Sequence, residues 1–222
     1  MGKGLFITGT GTDVGKTYVT ALLVKTLRQA GYDTGYYKAA ISGAPSVKES
    51  DAGFVNAFAR IGEPEDMLLS YLYQNAVSPH LAARLEGHPV EKETILAAWR
   101  RAADAYPYVT MEGSGGILCP LRRDETASYD LEDLIRWLHL PSLIVADAGL
   151  GTINAVGLTA FYMAEQGLPV KGVLLNHWQG GVMEEDNAAM IEEMTGLPVL
   201  ARVRNGDTEL DIDPAALIKL YE

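Results

Sequence analysis

The chain has 222 residues, of which 48% are hydrophobic, and carries a formal net charge of −11 at neutral pH. This length suits one domain with a sizeable core, and the negative charge argues against nucleic acids and anionic membranes as partners. The apolar runs are too short to span a bilayer, no signal-peptide pattern opens the chain, and Cys119 is the only cysteine. We therefore expect a cytoplasmic protein without disulfides or membrane spans, in which Cys119 is a small loop or core residue.

Short apolar runs alternate with helical patterns along the whole chain. We predict strands at residues 4–8, 34–38, 108–112, 142–146, 170–175 and 198–203, and helices at residues 17–30, 51–60, 90–105, 131–138, 152–166, 184–195 and 214–220. This alternation predicts an α/β fold of three layers with a mostly parallel central sheet, in a single domain of residues 1–222. We expect the proline-punctuated segment 62–85 to be an irregular elaboration between the second and third of these strands.

The first predicted strand runs into a glycine-rich loop, Gly9-Thr10-Gly11-Thr12-Asp13-Val14-Gly15-Lys16-Thr17, which a helical pattern follows. Strand, glycine loop and helix in this order are typical of a P-loop, which binds the phosphates of a nucleotide through backbone N–H groups and the helix N-terminus. Lys16 is then expected to reach the β- and γ-phosphates, and the Thr17 hydroxyl to bind Mg²⁺. Five residues separate Gly9 from Gly15, one more than in the common motif.

Further charged residues end later strands, where ligands of parallel sheets bind. Lys38 ends the second predicted strand, and its alternative role is that of a solvated lysine at a sheet edge. Glu112 and Asp147 each end or follow an apolar strand, so either fits the second Mg²⁺ ligand, and Asp51 at a helix start is a third acid. The residues alone leave this choice of acid open.

Taken together, these motifs resemble those of the dethiobiotin synthetases, the ATP-dependent carboxylases of biotin synthesis. The resemblance covers nearly the whole chain and rests on the longer P-loop and on five further segments. These are Tyr37-Lys38…Ser42-Gly43, Ser78-Pro79-His80, Glu112-Gly113-Ser114-Gly115-Gly116…Pro120-Leu121, Leu150-Gly151-Thr152-Ile153-Asn154, and Asn176 at a strand end. Ala39 departs from the family pattern, which has proline after the lysine, so we expect a less restrained backbone there.

The resemblance implies a role for each matching position. It makes Lys38 and Lys16 catalytic and favours Glu112 over Asp147, so that Thr17, Asp51 and Glu112 surround Mg²⁺. ATP would be held by Asp13, Val14, Gly15, Lys16, Thr17, Tyr18, Asp51, Glu112, Gly113, Ser114, Gly115, Asn176 and His177. The substrate would contact Thr12, Lys38 and Ser42, while Gly151, Thr152, Ile153 and Asn154 would bind its distal carboxylate in the neighbouring subunit of a homodimer. Topology alone places Arg204, Asn205 and Gly206 near the adenine, with a mobile surface turn as the alternative.

The implied reaction joins 7,8-diaminononanoate and CO₂ with ATP, through a carbamate and a carbamic–phosphoric anhydride, to a cyclic urea. Two other classes of P-loop protein are alternatives to this assignment. Amide-forming enzymes such as cobyrinic acid a,c-diamide synthase carry a glutamine-hydrolysing domain, for which 222 residues leave no room. Nucleotide switches of the MinD kind carry an extra lysine early in the loop, and residues 9–13 contain none. The four histidines are too scattered to indicate a transition-metal site.

Overall fold

The computed structural model describes residues 2–222 and has a seven-stranded sheet at its centre. The strands, in chain order, are β1 (Lys3–Gly9), β2 (Thr34–Ser42), β3 (Leu69–Tyr73), β4 (Tyr108–Gly116), β5 (Pro120–Arg123), β6 (Ser128–Asp130), β7 (Ser142–Asp147), β8 (Val170–Asn176) and β9 (Val199–Arg202). Strands β5 and β6 form a separate antiparallel hairpin. The other seven are parallel and lie in the order β3-β2-β4-β1-β7-β8-β9.

Helices cover both faces of the sheet, which confirms the predicted three layers. The helices are α1 (Lys16–Gln29), α2 (Asp51–Phe58), α3 (Glu65–Leu68), α4 (Pro79–Glu86), α5 (Lys92–Ala105), α6 (Leu131–Leu138), α7 (Thr152–Glu165), α8 (Val182–Thr195) and α9 (Pro214–Leu217), and a 3₁₀ turn follows at Ile218–Tyr221. One core packs α1, α2, α3 and α9 against the sheet, and a second core packs α4 to α8 against the opposite face.

The central strands are mostly apolar because both of their faces are buried. In β1, Leu5 and Ile7 point into one core and Phe6 into the other, and all three are fully buried. This arrangement explains why the central strands read as continuous apolar runs rather than as alternating patterns. Among residues 2–222, no helix is both long and apolar enough to cross a membrane.

The prediction for segment 62–85 was wrong, because this segment is ordered into α3, the edge strand β3 and most of α4. Strand β3 pairs with β2 from Leu69 to Tyr73 and widens the sheet by one strand. Two other strands are longer than predicted: β2 continues to Ser42 and β4 continues through its glycines to Gly116. The hairpin of β5 and β6 was not predicted, and the other elements were predicted correctly, with ends that differ by a few residues.

Parallel pairing brings the carboxyl ends of all seven strands to one edge of the sheet. The loops that follow β1, β2, β4, β7 and β8 therefore meet there. The candidate residues of the sequence analysis lie in or beside these loops.

Candidate active site

The loop between β1 and α1 has the glycine that its geometry requires. Gly15 precedes α1 with a φ of 82°, in the left-handed region. A Cβ added there would lie 2.0 Å from Asn176 Nδ2, so any side chain would collide with the end of β8. Asn176 Nδ2 also donates to the Val14 carbonyl at 3.1 Å. The loop is thereby fixed to β8, and the unpaired N–H groups that begin every helix lie next to a cavity that Gly15, Lys16 and Thr17 help to line.

Lys38, in the middle of β2, holds together the carboxylates of Glu112, in the middle of β4, and of Asp51, at the start of α2. Its Nζ donates to Asp51 Oδ2 at 2.6 Å and to Glu112 Oε1 at 2.7 Å. Glu112 also accepts hydrogen bonds from Thr17 Oγ1 at 2.8 Å and from the Tyr36 hydroxyl at 3.0 Å. The Lys38 and Glu112 side chains are buried, whereas that of Asp51 is 47% exposed. The four-residue cluster of Thr17, Lys38, Asp51 and Glu112 therefore opens to solvent on the Asp51 side.

The ammonium group of Lys38 and the carboxylates beside it stabilise each other's charged forms. Burial lowers the pKa of Lys38, but the carboxylates of Glu112 and Asp51 outweigh burial, and the net pKa lies above its ordinary value. Burial likewise raises the pKa of Asp51, but the charge and hydrogen bond of Lys38 bring the net pKa below its usual range. Lys38 is consequently a cation at neutral pH in the folded protein.

Lys16 is a second buried cation close to the first. Its Nζ donates to the Gly11 carbonyl within the loop at 2.7 Å, and the residue is 7% exposed. Burial, followed by the positive charge of Lys38, lowers the pKa of Lys16. Within the part of the chain that the structure describes, Lys16 has no carboxylate bonded to it, so its ammonium group is available to an anionic ligand.

A cavity of about 710 Å³ connects these groups. The predicted residues that line it are Thr12, Asp13, Gly15, Lys16, Thr17, Lys38, Ser42, Asp51, Glu112, Ser114 and Gly115. Ser114 Oγ donates to the Ala40 carbonyl at 2.6 Å, which ties the tip of β4 to β2. Gly113 faces the core instead, where a Cβ would lie 2.6 Å from Leu131 Cδ2.

Six further residues line the cavity without having been assigned to it from the sequence: Ile41, Ala76, Val77, Ser78, Pro79 and Cys119. Four of them follow β3, the strand that the sequence analysis missed. Ser78 and Pro79 belong to one of the family segments, and the structure places them at the start of α4, in the connection that follows β3. Burial raises the pKa of the Cys119 thiol to about 11, so Cys119 is no nucleophile at neutral pH.

Residues predicted to hold the nucleoside lie on the other side of the P-loop, outside this cavity. Nε2 of His177 is 3.7 Å from the position that a Cβ on Gly15 would occupy. The Tyr18 hydroxyl donates to the Asp207 carbonyl, and the Arg204 N–H donates to Asp207 Oδ2 at 2.7 Å. These bonds place the exposed residues Arg204, Asn205 and Gly206 close to the first turn of α1.

Residues 151–154 also lie outside the cavity. Gly151 has a φ of 93° and precedes α7, and the buried Thr152 Oγ1 has no hydrogen-bond partner among residues 2–222. Ile153 is half-buried and Asn154 is exposed. Leu150, Leu158 and Phe161 are exposed around them, Leu150 to 93%. The structure therefore does not bring this segment to Lys38 within one chain.

Comparison with known proteins gives consistent matches over nearly the full length. The family described as AAA domain matches residues 3–208. The ATP-dependent dethiobiotin synthetase BioD of Brachyspira hyodysenteriae is 47% identical over 212 residues, which cover 95% of this chain and 96% of the relative. The protein of the same name from Clostridium kluyveri is 42% identical over 209 residues, covering 92% and 87%.

Solved structures with lower sequence identity share the fold. A ParA family ATPase from Chlorobium tepidum TLS matches with a TM-score of 0.56 and 16% identity, over 99% of this chain and 88% of that chain. The MinC:MinD cell division protein complex of Aquifex aeolicus matches with a TM-score of 0.56 and 13% identity, over 99% and 84%. These matches confirm the P-loop ATPase fold.

Proposed function

The chain belongs to the ATP-dependent dethiobiotin synthetase family, and we propose that it closes the cyclic urea of dethiobiotin from 7,8-diaminononanoate, CO₂ and ATP. The observation that carries this proposal is the position of Lys38. Its ammonium group is buried between Asp51 and Glu112, next to the P-loop residue Thr17, in the wall of a 710 Å³ cavity. A fixed cation at this place suits a reaction in which two anions must meet.

The P-loop would hold the triphosphate with its γ-phosphate towards Lys38. Backbone N–H groups around Gly15 and the Lys16 ammonium group would bind the phosphate oxygens. Asn176, His177 and the loop of Arg204, Asn205 and Gly206 would hold the nucleoside, because they lie at β8 and β9 on the opposite side of the loop. Tyr18 supports this placement through its bond to Asp207.

Thr17, Asp51 and Glu112 present the ligands that Mg²⁺ prefers, namely one hydroxyl and two carboxylates. Thr17 and Glu112 are hydrogen-bonded, and both carboxylates contact the same ammonium group, so their oxygens lie close together. The donor set therefore fits the metal. When bound, Mg²⁺ would supply positive charge to the phosphate oxygens.

The first two steps bring negative charge towards the cations. One amine of the diamine captures CO₂ and loses a proton, which gives a carbamate. A carbamate oxygen then attacks the γ-phosphorus and ADP leaves, which gives the carbamic–phosphoric anhydride. Lys38 and Lys16 would stabilise the charge that accumulates as the two anions approach, and Thr12 and Ser42, both in the cavity wall, would orient the carbamate.

The last step is favoured by proximity. The second amine of the same substrate attacks the carbonyl carbon, phosphate leaves with the proton that this amine loses, and the ring closes. Because both amines belong to one molecule, the step is intramolecular and avoids the entropy cost of a second encounter. The protein has only to hold the chain of the substrate so that the second amine faces the anhydride.

We propose that the substrate's distal carboxylate is bound by the partner subunit of a homodimer, through Gly151, Thr152, Ile153 and Asn154. Two features of the single chain support this assignment. The segment begins a helix of 14 residues with an unpartnered, buried Thr152 hydroxyl, and it lies among exposed apolar side chains that a partner would cover.

A labelled-bicarbonate assay tests the proposed function. The purified protein is incubated with the diamine, Mg²⁺–ATP and ¹³C-bicarbonate, and the product is examined by mass spectrometry. We expect a cyclic urea that contains one labelled carbon, together with one ADP per product. ATP consumption should require the diamine; consumption at the same rate without it would indicate a nucleotide switch and contradict the proposal.

A further inference from the structure

Asp147, the acid that the strand-end pattern offered as an alternative to Glu112, has a different partner. Its Oδ2 lies 2.7 Å from Nδ1 of His177, and its Oδ1 accepts a hydrogen bond from the Gly149 N–H at 2.7 Å. Asp147 ends β7 and stands in register with Asn176, the residue before His177, at the end of β8. The sheet thus brings the carboxylate and the imidazole together on the β8 side of the P-loop.

The pair determines which imidazole nitrogen is left for a ligand. Burial raises the pKa of Asp147, but the bonds from His177 and Gly149 bring the net pKa below its usual range, so the group is a carboxylate at neutral pH. A carboxylate only accepts, and His177 Nδ1 must therefore be the donor. Nε2 is the remaining nitrogen, and it is the atom that lies beside Gly15.

The backbone holds His177 in an uncommon conformation. Its φ is 57°, in the left-handed region that non-glycine residues seldom adopt. Hydrogen bonds on both sides fix it: the Ala148 N–H donates to the Asn176 carbonyl at 2.8 Å, and the Trp178 N–H donates to the Val203 carbonyl at 2.8 Å. Such strain persists where surrounding structure fixes it, and it concentrates at binding sites.

We infer that Asp147 is a positioning residue for nucleotide binding, which holds the His177 ring so that Nε2, the acceptor nitrogen of this tautomer, accepts a hydrogen bond from a ribose hydroxyl of ATP beside Gly15. The reactive end of the cavity lies at β2 and β4, with Lys38 and Glu112. A nucleotide whose γ-phosphate points there passes Gly15 with its nucleoside end towards β8. The inference rests on the proposed use of ATP. It adds Asp147 to the residues that support ATP binding, although Asp147 neither contacts the diamine nor takes part in the chemical steps.

The test is the Kd of Mg²⁺–ATP, measured by calorimetry without the diamine in His177→Ala, Asp147→Ala and the double variant. We expect about a tenfold weaker Kd in His177→Ala, the effect of losing one hydrogen bond from a hydroxyl group of the ligand. Asp147→Ala should weaken the Kd by a similar factor, and the double variant should equal His177→Ala within twofold, since Asp147 acts through His177. An unchanged Kd in Asp147→Ala, or effects that multiply in the double variant, would overturn the inference.

Two controls separate positioning from loss of structure. Asp104→Ala removes one exposed carboxylate from α5 and should leave the Kd of ATP unchanged. His177→Asn keeps a residue that tolerates the left-handed backbone, so it should bind ATP as weakly as His177→Ala while unfolding at the wild-type temperature. The KM of the diamine should stay within twofold of wild type in Asp147→Ala. If that KM rises as much as the Kd of ATP, the pair is only structural and the inference fails.

Failure of the inference is distinguishable from failure of the proposed function. If the protein makes the labelled cyclic urea but all variants bind ATP equally well, only the role of Asp147 and His177 is contradicted. If the ATP affinities of the variants follow the expected pattern but no cyclic urea is made, only the proposed reaction is contradicted.

Discussion

Replacing Lys38 tests the catalytic assignment most directly. Lys38 is 3% exposed and lies 2.6 Å and 2.7 Å from two carboxylate oxygens, so its charge is fixed before the substrate arrives. Removing one such preorganised charge typically costs about 3–4 kcal/mol of transition-state stabilisation, or a factor of roughly 10²–10³ in turnover. We therefore expect Lys38→Ala to lower kcat by at least about a hundredfold.

The Kd of ATP should change far less than kcat in this variant. The P-loop backbone and Lys16 hold the phosphates from the other side, and neither depends on Lys38 for its position. The expected pattern is thus a large loss in kcat, with a Kd for Mg²⁺–ATP within about threefold of wild type. Single-turnover formation of the labelled cyclic urea gives the first quantity, and calorimetry gives the second.

Two further variants control for folding and for charge. Lys38→Met fills the same volume without the cation and should lose as much activity as Lys38→Ala. Lys171→Ala removes an exposed lysine near the beginning of β8, at the opposite edge of the sheet, and should remain fully active. Near-normal turnover in Lys38→Ala, or an equal loss in Lys171→Ala, would refute the assigned role of Lys38.

Three further outcomes are expected. Glu112→Gln should raise the Mg²⁺ concentration needed for half-maximal turnover more than Asp147→Asn does, both at saturating ATP, and the opposite order would show that Asp147 is the metal ligand. Burial raises the pKa of Glu63 from 4.5 to about 7. Between these values the folded protein holds a proton that the unfolded chain has lost, so the free energy of unfolding falls as the pH rises towards 7. Glu63→Gln should remove this decline, worth about 3 kcal/mol at pH 8, in urea unfolding at pH 5 and pH 8; an unchanged decline would show that Glu63 does not titrate there. Lys38→Ala and Asn154→Asp, each inactive alone, should together recover roughly a quarter of wild-type activity after co-refolding, because about half the dimers are mixed and carry one intact site. No recovery, with exchange confirmed by mass, would place each site within one chain.

The parts of the site that could be predicted from the sequence are those encoded by consecutive residues. A short apolar strand, a glycine loop and a helix occupy consecutive residues, so the P-loop was predicted with its boundaries nearly correct. Lys38 and Glu112 were selected by the rule about strand ends, although each strand continues for four residues beyond them, to Ser42 and Gly116. The structure adds that Lys38 and Glu112 are bonded to each other, which no pattern within one strand reveals.

The choice between Glu112 and Asp147 illustrates what the residues alone could not decide. Both acids follow an apolar run of a strand, and their neighbourhoods differ because of strand order. Strand β4 lies between β2 and β1, so Glu112 meets Lys38 and Thr17, whereas β7 lies between β1 and β8, so Asp147 meets His177. Strand order depends on crossovers far apart in sequence, and the family resemblance had to supply the preference for Glu112.

Strand β3 was missed although its sequence carries a period of two. In Leu69-Ser70-Tyr71-Leu72-Tyr73 the first, third and fifth side chains are buried and the others are half-buried, as expected for an edge strand. The nearby prolines Pro64 and Pro79 suggested a loop, but each stands at a helix start, where proline is tolerated. Because β3 was missed, the cavity wall that follows it was missed as well.

Ala39 lies where the family pattern has proline, directly after Lys38, the lysine proposed to be catalytic. A proline would restrain the backbone after Lys38 by fixing φ. Here β2 instead remains paired with β3, with Lys38 opposite Leu69 and Ala40 opposite Tyr71. On its other side, the tip of β4 bonds to Ala40 through Ser114. The edge strand and the β4 tip thus supply by pairing the rigidity that proline would supply covalently, and preorganisation of the Lys38 charge depends on both.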